Sequence, residues 1–282
     1  MKKRLNKYYG IDINEFKEYN DGIIFFVGGD YYYFVKSLYD EEYINFLFNI
    51  CNELKNIKLH SFVFNKENKL ISDGYVLFKL NNLIDDITIQ DIYSFINVDC
   101  SKYKNDYIFM DKFWEDKIDY LEIQLTELSN NKLINNSFDY FVGIAEILIG
   151  YLKDNFDKES LNLCLSHRCF NSLSTIEFYN PLNISFDIYL KDIASYIRIT
   201  KNRELLLDVI DKESRNLNYL KYFFVRMVFP FSYFREVSNV LIDGKNNEGL
   251  VKIVNNEYEY ECYIYEMEKI FGIYIFSWIK KE

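Results

Sequence analysis

LSHRCFNSLSTIEFYNPLNISFDIYLKDIASYIR, residues 165–198, holds one of the chain's two histidines, His167. Arg168 and Cys169 follow it directly, and Asp192-Ile193-Ala194 comes some two dozen residues later. Between His167 and Asp192 the only acids are Glu177 and Asp187, and one of the chain's two prolines, Pro181, breaks the stretch. The question is whether these residues do chemistry or hold a loop in place.

Working outward, the chain has 282 residues, enough for one large domain or two modest lobes. At 49 % hydrophobic residues a sizeable core can form, and 27 % charged residues is ordinary. Tyr and Phe are abundant, at 26 and 25, in a chain also rich in Asn, Ile and Lys. AT-rich codons explain all of these together, and a dedicated aromatic surface is the alternative. The net charge is −10, and the one dense basic cluster is Lys2-Lys3-Arg4. A nucleic-acid partner, which needs a basic face, is not expected. Five cysteines (Cys51, Cys100, Cys164, Cys169, Cys262) make an odd number with no CxxC spacing, and no signal-peptide-like segment precedes them. They read as free thiols of a reducing compartment. No run reaches the ~20 apolar residues of a membrane span. YFFVRMVFPFSYF (222–234) and the tail IFGIYIFSWIKKE (270–282) read as buried helix, with a membrane-surface role for the tail as the alternative.

The first 85 residues read as mostly strand. DGIIFFVGGDYYYFVKS gives two apolar runs joined by Gly28-Gly29-Asp30, a hairpin signal. DEEYINFLFNICNELKNI follows with Tyr43, Phe46, Leu47, Ile50 and Leu54 at helical spacing. HSFVFN and YVLFKL supply two more strands. From about Ile87 the chain reads mostly helical, and in FDYFVGIAEILIGYL the residues Phe138, Phe141, Val142, Ala145, Leu148, Ile149 and Leu152 form one stripe. Pro230 interrupts a helical pattern, and NNLIDD (81–86) reads as a hinge.

Five segments, FWEDKIDYLE (113–122), FDYFVGIAEILIGYL (138–152), SHRCF (166–170), FDIYLKDIASYIR (186–198) and VRMVFPFSYF (225–234), occur in this order. Together they resemble the spore-coat-associated kinase-like family of endospore-forming bacteria, the YutH/CotS-like branch of the aminoglycoside phosphotransferase and protein-kinase-like superfamily. The resemblance implies an α+β, protein-kinase-like, two-lobed fold, with a β-rich N-lobe over 1–83 and a mainly helical C-lobe over 84–282. The strand–strand–helix–strand–strand order of the first third agrees with such an N-lobe.

A phosphotransferase of this type uses a catalytic Asp, an Asn and a second Asp on magnesium, and a strand Lys paired with a helix Glu. By the resemblance, His167 keeps its place, and Cys169 stands where the catalytic Asp belongs. The metal-binding Asn falls near Ser174, and the metal Asp falls at Asn180, or at Asn183 in a slipped register. A thiol is a poor magnesium ligand, and an amide brings no charge. His167 and Asp192 are expected to brace the loop backbone. His167 otherwise reads as a satisfied core histidine, and Cys169 as a thiol with His167 for a base, though no third orienting group is evident. Lys36 with Glu42 is a vestigial phosphate-pairing candidate, or Lys36 is simply a surface lysine. No metal site and no cofactor is expected.

The resemblance therefore implies a pseudokinase, a protein-binding scaffold in spore coat assembly made in the mother-cell cytoplasm or resident in the coat. Its partners would be proteins, among them coat proteins. Two alternatives stand beside it. One is an active aminoglycoside- or choline-type phosphotransferase using ATP and magnesium, with Asp187 or Glu177 as displaced acids. The other is a scaffold outside sporulation.

Overall fold

GIIFFV and YYYFV are apolar at consecutive positions, so strands made of them have two faces to bury. The computed structural model covers both. It describes residues 1–54, 56–81, 86–100, 102–103, 108–128 (127 and 128 by backbone only), 131–158 and 161–279. Strands β1 (Lys17–Tyr19), β2 (Gly22–Val27), β3 (Asp30–Lys36), β4 (Ser61–Phe62), β5 (Ile71–Ser72) and β6 (Tyr75–Lys79) form one antiparallel sheet. Their order is β1-β2-β3-β6-β4, with β5 also on β6. Ile24, Tyr33, Val35, Val76 and Phe78 share one face with Ile44 of helix α2 (Glu41–Glu53). Ile23, Phe25, Phe34 and Leu77 share the other with Leu5 of helix α1 (Lys2–Tyr9). Leu5 is fully buried, which contributes about 1.5–3 kcal/mol.

Helix α1 lies in a stretch read from sequence as strand. Its single buried residue, Leu5, is too little for a periodic signal. In α2 Leu47 and Ile50 of the expected stripe are buried together with Ile44, Tyr43 is half-buried, and Phe46 is exposed. The hairpin turn Gly28-Gly29 has both residues at positive φ, as a two-residue turn demands.

The chain divides into two compact units. The first is Met1–Ser101 with Leu163–Asp192. Besides the sheet it holds α3 (Ile89–Ile96) and a second, two-stranded sheet of β7 (Leu163–His167) and β8 (Ile184–Ile188). Between β7 and β8 lie the short helix α6 (Thr175–Phe178) and a 3₁₀ turn, Pro181–Asn183. The second unit is Lys102–Asn162 with Ile193–Glu282. It contains α4 (Met110–Leu128), α5 (Lys132–Asn155), most of α7 (Leu190–Thr200), α8 (Arg203–Glu213), α9 (Leu217–Val228), α10 (Phe231–Leu241), α11 (Glu248–Asn255) and α12 (Glu257–Phe271). The expected lobe boundary at residues 83 and 84, and residues 82–85 of the expected hinge, lie outside the described residues.

All seven stripe residues of α5 are buried. Pro230 separates α9 from α10. β7 (LCLSH) and β8 (ISFDI) are two short strands within the mostly helical stretch after Ile87, and the alternation of apolar and polar residues in ISFDI is a strand signal that the sequence reading passed over. The tail also departs from its helical reading. Helix α12 stops at Phe271, where Gly272 takes φ +67. The buried Glu268 carboxylate then accepts from the amides of Ile275 (2.7 Å) and Phe276 (2.9 Å), turning the chain away from the helix. No helix of the described residues is long and apolar enough to cross a membrane.

A Cβ on Gly22 would lie 2.5 Å from the Phe34 carbonyl oxygen and 3.0 Å from Val35 Cα, whereas one on Gly28 meets nothing within 4 Å. Gly22→Ala is expected to cost about 2 kcal/mol or more, and Gly28→Ala about 1 kcal/mol from its positive φ alone. Melting curves of the two variants test this, and the reverse ranking would disprove the packing described for β2 and β3.

Candidate functional site

β7 brings His167 to its last position, and α7 carries Asp192 in its first turn, where a carboxylate is favoured by the free amides of the helix start. The two side chains meet. His167 Nδ1 lies 2.7 Å from Asp192 Oδ2, and Nε2 lies 2.8 Å from the Phe178 carbonyl oxygen. Both ring nitrogens face oxygen, and Nε2 donates, because the Phe178 carbonyl can only accept. Asp192 Oδ1 also accepts from the Ser166 hydroxyl (3.0 Å) and the His167 amide (3.4 Å). Phe95 stacks on the imidazole at 4.7 Å, and the Phe178 ring lies 4.2 Å away. His167 is fully buried and Asp192 is 2 % exposed, so this constellation faces other protein groups.

The loop after β7 carries the other candidates. Cys169 is exposed, but its backbone is held at both ends by one side chain. Asn183 Oδ1 accepts from the Cys169 amide at 2.9 Å, and Asn183 Nδ2 donates to the Cys169 carbonyl at 2.6 Å. Asn180 Oδ1 accepts from the Leu182 amide at the start of the 3₁₀ turn. Ser174 precedes α6 and accepts from Tyr19 Oη at 2.9 Å. Glu177 accepts from Asn20 (2.7 Å), Ser172 (2.5 Å) and Tyr19 (3.3 Å). Asp187 pairs with Lys191 at 2.9 Å and accepts from the Ile188 amide. Cys164 donates to the Asp187 carbonyl, and burial pushes its thiol pKa well up.

The structure brings together His167 with Asp192, and Cys169 with Asn183. It does not join Lys36 to Glu42. Both are exposed, and no ion pair forms between them among the described residues. Lys36 instead borders an open recess of about 360 Å³ with Glu18, Asn20, Asp21 and Tyr75. A second recess, about 620 Å³, lies along the start of α1. Neither reaches Cys169, Ser174 or Asn183.

Magnesium with ATP is what a kinase-like fold implies, and these residues do not fit it. The amides at 180 and 183 are committed to backbone, and position 169 offers a thiol. Among the described residues no three His, Cys, Asp or Glu side chains converge.

Sequence reasoning missed the groups that bind this loop to the N-terminal sheet. Arg168 sits over the rings of Tyr39 (4.9 Å) and Tyr43 (5.2 Å), bonds the Tyr43 hydroxyl, and donates from Nε to the Ile184 carbonyl. Ile176 and Leu182 pack against the sheet's core cluster. The Tyr179 hydroxyl donates to Asp91 at 2.6 Å, and the His60 amide donates to the Tyr179 carbonyl. These partners are far apart in sequence and carry no local pattern. His60 is itself buried. Its Nδ1 accepts from the Asn81 amide, its Nε2 has no partner, and burial lowers its pKa from 6.5 to about 4.

Asp192→Ala would leave the Ser166 hydroxyl and the His167 ring without their acceptor. It is expected to cost about 3 kcal/mol or more, and Asp192→Asn less. Equal, small losses in chemical denaturation would exclude a structural role for the carboxylate. His60 gives a pH dependence. Its folded pKa is depressed, so its contribution is complete above pH 6.5 and is lost as pH falls towards about 4. The loss is on the order of 3 kcal/mol. Stability measured across that range should fall less steeply for His60→Asn than for the parent chain, and parallel curves would contradict the assignment.

Residues 101–267, more than half of the chain, match the spore coat putative kinase YutH family. Among curated proteins none matches. Solved structures do. An aminoglycoside phosphotransferase from Alicyclobacillus acidocaldarius superposes with a TM-score of 0.59 at 10 % identity, covering 94 % of each chain. Spectinomycin phosphotransferase APH(9)-Ia, in complex with ADP and spectinomycin, gives 0.55 at 12 %, covering 96 % of each. Choline kinase LicA from Streptococcus pneumoniae gives 0.50 at 11 %, covering 92 % of each. Identities this low carry the fold alone, which is that of aminoglycoside phosphotransferases and protein kinases, with an N-terminal antiparallel sheet and a mostly helical C-terminal part. On the family match, the chain belongs to the spore coat putative kinase YutH family.

Proposed function

We propose that the protein is a catalytically inactive kinase-like scaffold that serves spore coat assembly through protein partners. Its lobes would run over 1–83 and 84–282, and its place would be the mother-cell cytoplasm or the coat. The observation that carries the reading is the packing of the 168–183 loop. In a working enzyme of this fold the corresponding loop presents charged oxygens to a metal nucleotide. Here Ile176 and Leu182, half-buried, pack against the sheet's core cluster, Tyr19 and Asn20 hold Glu177, and Asn183 is spent on Cys169. Side chains committed in this way, Glu177 among them, offer little to a developing phosphoryl charge. The family match supports the coat context.

The alternative, an ATP-dependent phosphotransferase acting on an aminoglycoside- or choline-like hydroxyl, would have to use Asp187 or Glu177. Both are already engaged, with Lys191 and with Tyr19, Asn20 and Ser172.

Binding of nucleotide at 100 times its Kd would stabilise the fold by about 2.7 kcal/mol, plain in a melting curve. No such shift is expected with magnesium-ATP, and no phosphate transfer to small hydroxyl compounds. Cys169→Asp alone should remain inactive. Turnover by the parent chain that Asp187→Ala abolishes would establish the alternative. In a spore-forming host, removal of the protein should change which proteins the coat retains, and an unchanged coat would refute the scaffold role.

A further inference from the structure

The second compact unit contains an electrostatic imbalance that the reading above does not use. Arg235 pairs with Glu236 at 3.3 Å, but Arg198 and Arg226 have no carboxylate within ion-pair distance among the described residues. Arg226, in the last turn of α9, is 8 % exposed. Its Nε has no hydrogen-bond partner, and its Nη1 reaches only the Met110 sulfur, at 3.7 Å. Arg198, in the last turn of α7, is partly buried. Both guanidinium groups sit over the Phe231 ring, with Cζ 4.4 Å (Arg226) and 5.0 Å (Arg198) from its centroid.

Carbonyls at the end of α9 have partners of their own. Tyr260 Oη donates to the Val228 carbonyl and Tyr263 Oη to that of Met227. The phenols bring no negative charge, since burial pushes Tyr263 up to about 12 and Tyr260 higher still. Arg198 is lowered from its ordinary value, chiefly by burial, with Arg226 and Arg235 adding repulsion. Stacking on an aromatic ring returns less than burying an unpaired charge costs. A guanidinium with free N–H groups in a planar fork suits an oxyanion. Phe231 and Arg198 are each partly exposed, so the cluster has one edge at the surface, while Arg226 lies beneath it.

We propose that Arg226 and Arg198 form a binding site for a small oxyanion, a phosphate or carboxylate group, held beside the Phe231 ring. The anion would relieve the repulsion between the two arginines and satisfy the Arg226 donors.

Melting curves of the full chain with inorganic phosphate, with malonate, and with sodium chloride at matched ionic strength test the proposal. A saturable rise with phosphate or malonate beyond that with chloride is expected, and the arm that responds identifies the group. Arg226→Met should abolish the rise and, without anion, melt no lower than the parent chain, because it removes an unpaired buried charge. Arg198→Met should weaken the anion at least tenfold by calorimetry, and it carries the test if Arg226→Met does not fold. No saturable rise in either arm, or a rise kept in both variants, would overturn the site.

Discussion

A carboxylate that is 2 % exposed needs partners, and Asp192 finds them in two residues of the neighbouring strand: the Ser166 hydroxyl and the amide and ring of His167. That demand places the end of β7 against the first turn of α7. With both ends of the intervening segment so placed, its middle is placed too, because the far side of the same imidazole meets the Phe178 carbonyl. Phe95 and Phe178 close over the ring. What remains of the loop can then pack Ile176 and Leu182 against the sheet. The order of cause runs from one buried charge to a ring, from the ring to a loop, and from the loop to the filled space beneath the strands.

The N-terminal sheet was legible because its signals are local. Consecutive apolar residues and Gly28-Gly29 dictate β2, β3 and their turn, and the α5 stripe is a full helical period over many residues. Helix α1 and β7 were not legible, since one buried leucine and a five-residue strand buried throughout carry no period, whereas the alternation in β8 (ISFDI) was there to be read. At the site, the residue types at 167, 169, 183 and 192 could be read from sequence, but their partners could not. The Asn183 clasp on Cys169, the Arg168 stack on Tyr39 and Tyr43, and the Tyr19 bond to Ser174 all join residues whose nearness only the folded chain creates.

The aromatic bias of the composition is absorbed mainly inside. Tyr222, Tyr233, Phe223, Phe224, Phe229 and Phe234 are almost wholly buried. A buried phenol needs a polar partner, and several supply one where a helix needs it. Tyr260 and Tyr263 cap the end of α9, and Tyr233 shares a hydrogen bond with Ser137 across a stacked pair with Phe141. A chain biased towards Tyr and Phe can thus use phenols where another would use Ser, Asn or water.

Asn183 does more than hold Cys169. Its own carbonyl accepts from the Arg168 amide, and its side chain then treats the next residue as a neighbouring strand would, giving one donor and one acceptor. The amide thus acts as a further rung of the β7–β8 ladder. An aspartate there would keep the acceptor but set a second oxygen against the Cys169 carbonyl, where a donor now sits at 2.6 Å. The side chain that completes the ladder is therefore one that an acid cannot replace without opening it. The position is thus closed to an acid by the loop's own bonding, because the amide serves there as part of the backbone ladder.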